Sequence, residues 1–155
     1  MYLPLRFPLA SLLLLMLVVC NADAANPSRP FKGVGIGETM FVPHPTLPAP
    51  FVLLQAKEVG NYTHFGRATI ITMSGDFNPD TGTLTNGKSV TTAADGSMAN
   101  ATWSGQFIDE VTFRASVNWA GGTKRFIQLK GETEFISTSL SETQFRNVHS
   151  GRISY

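Results

Sequence analysis

The chain has 155 residues, with 12 Lys and Arg against 11 Asp and Glu, a formal charge of +1, and charged residues at only 15%. Such a balanced chain lacks the basic footprint that a nucleic-acid partner needs. Its single cysteine, Cys20, supports neither an internal disulfide framework nor a thiolate zinc site.

Residues 1–24 have the composition of a secretory signal. Arg6 precedes the apolar run 12–19, and Ala22-Asp23-Ala24 presents the small residues a signal peptidase accepts. The run is shorter than the about 20 apolar residues a helix needs to cross a bilayer. Cleavage after Ala24 and a secreted or periplasmic product are expected, with no stable membrane insertion afterwards. Lipidation at Cys20 is the rival reading, but it needs a small residue before the cysteine, and Val19 is bulky and β-branched. Cleavage would also remove the only cysteine, leaving packing rather than disulfides to hold an exported fold.

A polar, Pro-containing stretch over 25–32 predicts a flexible lead, followed by a single domain over 33–155. Pro43, Pro45, Pro48 and Pro50 make the next punctuated segment an extended loop, because proline fixes φ and removes a donor. Around it, strands are predicted over 33–42 and 50–58. Residues 64–74 and 82–92 are rich in Thr, Ile and Val and predict two more. Ala99, Ala101, Trp103, Gly105 and Phe107 alternate with polar residues, as do Val111, Phe113, Ala115, Val117 and Trp119. A period of two is the mark of a half-buried strand. The last strands are expected over 131–138 and 143–155. Turn chemistry separates these runs at Asn78-Pro79-Asp80 and Ala94-Asp95-Gly96, and Asn86-Gly87 reads as a turn or a bulge. One helical turn is expected over 123–129. About eight short strands predict an all-β fold, an eight-stranded antiparallel β-barrel, with a β-sandwich as the alternative.

Four segments carry a resemblance. Thr63-His64-Phe65-Gly66-Arg67, Ala93-Ala94-Asp95-Gly96-Ser97, Gly121-Gly122-Thr123-Lys124-Arg125-Phe126 with Gly131, and Gly151-Arg152-Ile153-Ser154-Tyr155 resemble motifs of a group of small secreted bacterial β-proteins without an assigned function. The glycine-rich element is also similar to one in the dirigent and allene oxide cyclase families. That resemblance implies an eight-stranded barrel, and the two resemblances together assign Gly66, Gly121, Gly122, Thr123, Phe126 and Gly131 a structural part. Lys124 stands where the motif has glycine, and no catalytic residue carries over.

The chemistry-bearing candidates are few. His64, Arg67 and Glu132 are the groups to consider for acid–base work, although His64 and Arg67, three apart, point to opposite faces of a strand. His44, His64 and His149 lack metal-ligand spacing, and no metal or cofactor is expected. Glu132 and Glu134 share a strand face, as paired carboxylates would, but so do ordinary exposed positions. Gly121-Gly122-Thr123 lacks the Gly-Lys-Ser/Thr continuation of a phosphate loop. Trp103, Phe107, Phe113 and Trp119 are the candidates for lining a ligand cavity, against the default of filling a core. The leading expectation is a non-catalytic binding or accessory barrel for a small apolar ligand. A barrel-lumen cyclase or isomerase is the alternative, and a surface or homo-oligomer-forming structural protein the third reading.

Overall fold

The computed structural model describes residues 26–155; the expected signal and Cys20 lie outside them. Eight strands form a closed antiparallel barrel in simple chain order, each paired to the next and the last to the first. They are β1 (Arg29–Pro43), β2 (Val52–Tyr62), β3 (Gly66–Asn78), β4 (Thr83–Thr92), β5 (Met98–Phe107), β6 (Thr112–Gly122), β7 (Lys130–Ser139) and β8 (Gln144–Ser154). The expected eight-stranded antiparallel barrel is therefore the fold, and closure leaves no sheet edge unpaired. The alternation read in β5 and β6 sets their inner faces, with Ala99, Ala101, Trp103, Phe113, Ala115, Val117 and Trp119 all buried.

Three details differ from the sequence reading or resolve it. First, β1 begins at Arg29, so the second half of the predicted flexible lead is strand, with Phe31 almost fully buried. The Arg152 guanidinium donates to the Ser28 carbonyl at 2.7 Å and to its hydroxyl at 3.0 Å, holding the approach to that strand. Second, β2 continues beyond Glu58 to Tyr62. Third, Asn86-Gly87 is a bulge within β4: the register to β5 shifts between Leu84 and Gly87, and Asn86 takes φ 52°. The bulge makes room, because a Cβ on Gly87 would overlap the Trp103 indole.

The two ends of the barrel differ. The end holding the loops 63–65, 93–97 and 123–129 is closed. Phe65 and Phe126 are wholly buried there, stacked with ring centroids 4.5 Å apart, and Leu129 is 1% exposed. The expected helical turn is a short 3₁₀ turn, Lys124–Phe126, that carries Phe126 over the lumen. Its anchors lie in the glycine-rich element: Thr123 donates its N–H to the Met98 carbonyl at 2.8 Å and accepts the Met98 N–H on Oγ1 at 3.0 Å. Gly122 lies against the same carbonyl, where a Cβ would not fit.

The opposite end is open. Its loops are 44–51, 79–82, 108–111 and 140–143, and the first is tied to β3 through His44 and Asp76. His44 Nδ1 accepts the backbone N–H groups of Thr46 and Leu47, so Nε2 carries the proton it donates to Asp76 at 3.0 Å. Asp76 also accepts from Asn86 at 2.8 Å; that bond first, and then His44, hold its carboxyl below the usual range.

Candidate functional site

The middle of the inner face of β1 is bare. Gly33, Gly35 and Gly37 occupy successive inward positions, flanked in register by Tyr62, Gly60 and Glu58 on β2 and by His149, Asn147 and Phe145 on β8. Strands two apart in a sheet stand about 10 Å from each other. Their side chains meet only where the strand between them lends no side chain of its own. A Cβ on Gly33 would overlap the Tyr62 ring, and one on Gly35 would overlap Glu58 Oε1 and Tyr62 Oη.

Over this glycine floor lies a buried polar cluster. Glu58 is wholly buried. Its Oε1 accepts the Tyr62 hydroxyl and lies 3.2 Å from His149 Nε2, while its Oε2 accepts the Asn147 amide at 2.8 Å. Burial works to raise the Glu58 pKa. The hydrogen bond and charge of His149, with the hydrogen bonds from Tyr62 and Asn147, outweigh it and hold the carboxyl below the usual range. The Tyr62 phenol is pushed up, first by burial and then by the neighbouring carboxylate. A carboxylate with three donors is well satisfied, so this group fixes its neighbours rather than reaching for a substrate. The cluster is not fully satisfied, however: Asn147 Oδ1 and His149 Nδ1 are buried with no hydrogen-bond partner among the described residues.

Above the cluster, toward the open end, lies a cavity of about 80 Å³. Trp103, Phe113, Phe135 and Phe145 form its walls, Phe41, Phe77 and Phe107 stand toward the mouth, and Asn147 borders it as well. Aromatic contacts link the rim: Phe41 to Phe77 at 5.1 Å, Phe77 to Phe107 at 6.0 Å and Phe107 to Phe113 at 5.2 Å. Trp103 Nε1 is another buried donor with no partner among the described residues.

The candidates from sequence divide accordingly. Trp103, Phe107 and Phe113 line the cavity; Trp119 does not. It packs deeper, 5.6 Å from Phe31 and 5.5 Å from Phe65, and donates Nε1–H to Thr133 Oγ1 at 2.9 Å. None of His64, Arg67 and Glu132 reaches the lumen. His64 sits in the loop before β3 with φ 70°, its Nε2 bonded to the Pro30 carbonyl at 3.0 Å. Arg67 and Glu132 are exposed, as their outward strand positions require. Glu134, beside Glu132 on the same outer face, takes two hydrogen bonds from Arg114 at 2.7 and 3.1 Å. His149 is in the lumen and His64 is not, so the barrel gives them separate surroundings. Among the described residues no group of three or more His, Cys, Asp or Glu could hold a metal ion, and no helix is long and apolar enough to cross a membrane.

Sequence reasoning missed Glu58, Tyr62 and Asn147, and considered His149 only as a metal ligand. The available signal was the pairing of Gly33-x-Gly35-x-Gly37 with Glu58-x-Gly60-x-Tyr62, bare positions beside large ones on alternating residues. No family model, curated protein or solved structure matches the chain.

Proposed function

We propose that this barrel is a non-catalytic binding protein that takes a small apolar molecule into its open mouth. The observation that carries this reading is the aromatic cavity: a closed lumen end, an open one, and between them about 80 Å³ of space walled by Trp103, Phe113, Phe135 and Phe145. Ligand sites are concave, mostly apolar and sparsely polar, and this one has that make-up. A cavity of this size takes one small ring or the end of a larger molecule, with the remainder leaning on Phe41, Phe77 and Phe107. The binding reading is preferred over a lumen isomerase because Glu58, the strongest acid–base group inside, is wholly buried and already holds three partners. The apolar run and the Ala22-Asp23-Ala24 site support export, so the ligand would be met outside the cytoplasm.

The test is a toluene titration followed by methyl NMR. Leu54, Ala56 and Met73 line the cavity, whereas Leu129 and Ile153 are fully buried and do not. Saturable shifts at the first three and none at the last two are expected. Shifts at neither set, or equal shifts at both, would sink the proposal.

A further inference from the structure

Two residues that border the cavity, Asn147 and Trp103, carry buried polar atoms without a partner among the described residues, and these specify what the apolar guest should carry. Asn147 is 1% exposed, so its amide can satisfy itself only against neighbouring groups. One side is settled: Nδ2 donates to Glu58 Oε2 at 2.8 Å. The reverse orientation would set an amide oxygen against a carboxylate, so the flip is excluded by charge. Oδ1 is thereby held as an acceptor, and it has no partner among the described residues although Asn147 borders the cavity. Leaving a buried acceptor unpaired costs about 1–3 kcal/mol, which a suitable guest would recover. Trp103 borders the same cavity with an unpartnered Nε1–H, which needs an acceptor.

We infer that the cavity selects a neutral, apolar molecule bearing a hydroxyl group, whose O–H donates to Asn147 Oδ1. A hydroxyl offers a donor for Asn147 and lone pairs for Trp103. A carbonyl or ether offers only lone pairs, and a hydrocarbon offers neither. A carboxylate has no donor and must also approach through the open-end loops, which carry Asp80, Asp109, Glu110 and Glu142 and contain no Lys or Arg. Thr39, Ser137 and Ser139 also line the cavity, but their hydroxyls rotate to give or accept and so do not discriminate. Asn147 is held to one role by Glu58, and Glu58 is placed by the bare face of β1. This inference rests on the apolar-binding reading above and adds the functional group.

The experiment compares benzyl alcohol, benzaldehyde and benzoate with toluene on the unaltered chain, reading affinities from the same cavity methyls and from Trp103 emission. Alcohol and aldehyde are close in size and polarity, and they differ in the donor. Benzyl alcohol is expected to bind about tenfold tighter than benzaldehyde, with benzoate weakest. In Asn147→Ala the alcohol-to-aldehyde ratio should fall toward one while toluene still binds. If that variant does not fold, the ligand series on the native chain still decides. Toluene binding without a preference for the alcohol overturns the hydroxyl inference alone, as does benzoate binding equal to the alcohol. No response to any compound overturns the apolar-binding reading and this inference together.

Discussion

At one end of the barrel Phe65, Phe126 and Leu129 come from loops and fold over the lumen; at the other, Phe41, Phe77 and Phe107 come from strand ends and stand around an opening. The residue type is nearly the same, but the chain that carries it differs. The closed-end loop 123–129 turns inward on the bonds of Thr123, while the open-end loop 44–51 is drawn outward by His44 and Asp76. Charge follows the same axis. Around the closed end lie Arg29, Lys32, Arg67, Lys124, Arg125, Lys130 and Arg152, against Asp95 and Glu132. Around the open end lie Glu38, Asp76, Asp80, Asp109, Glu110 and Glu142, against Lys57, Arg114 and Arg146. A net charge of +1 thus conceals a barrel basic at one end and acidic at the other, which gives an approaching solute a preferred orientation. One end is sealed by packed rings and the other is left open.

The largest effect should come from emptying the closed end. Phe126 is wholly buried, stacked on Phe65 at 4.5 Å and edge-on to Tyr155 at 5.2 Å. Phe126→Ala removes a whole ring from a packed plug and should cost about 3–5 kcal/mol in urea denaturation. It should also open a second entrance to the lumen, making the Leu129 and Ile153 methyls responsive to toluene. A loss below about 1 kcal/mol would mean that the plug is not what holds this end.

Next comes the layer between the ends. Glu58→Gln keeps the shape but removes the charge that Tyr62, Asn147 and His149 share, and should cost about 2–4 kcal/mol near neutral pH. The pH dependence has a definite sign. The folded Glu58 pKa lies below its unfolded value, so its contribution is present above the unfolded value and lost as pH falls through the folded one. Asp76, Asp95 and Asp109 are also held low, Asp95 and Asp109 chiefly by backbone N–H groups, and they keep their acid limb in the variant. The stability gap between native chain and variant should therefore narrow toward pH 3. A gap that stays constant with pH would show that Glu58 is not ionised in the fold.

The strands were readable because a barrel wall imposes a period of two, and Ala99 to Phe107 and Val111 to Trp119 display it without interruption. The lining of the site was much less so. A strand predicted to stop at Glu58 ends where the inner face turns polar, and Lys57-Glu58 looks like a solvated pair by composition. Only the neighbouring strand shows why a carboxylate can point inward: Gly35 and Gly37 leave space, and Asn147 and His149 supply donors from β8. Such long-range compensation has no local signature. The aromatic candidates were found because size alone nominates them, but which end each serves depends on register. Trp103 and Trp119 differ by sixteen positions in sequence and lie near each other in pairing, since Trp119 meets Ala101 and Trp103 meets Val117. Even so, one lines the cavity and the other supports the plug.

The smallest effect on stability should come from the open rim, where the same chemical change as in Phe126→Ala meets a different environment. Phe107 is 38% exposed and touches Phe77 and Phe113 at ring separations of 6.0 and 5.2 Å. Removing its ring exposes part of two neighbours but leaves no sealed void, because Phe107 stands at the open mouth. Phe107→Ala should therefore cost less than about 1 kcal/mol, while toluene affinity falls several-fold because the guest loses one wall of the mouth. The two Phe→Ala variants thus separate the functions of the ends: one loses the fold and the other loses the guest. If Phe107→Ala proves as destabilising as Phe126→Ala, the rim is part of the structural core and the division fails. If it leaves both stability and toluene affinity unchanged, the guest sits wholly below the rim, among Trp103, Phe113, Phe135 and Asn147.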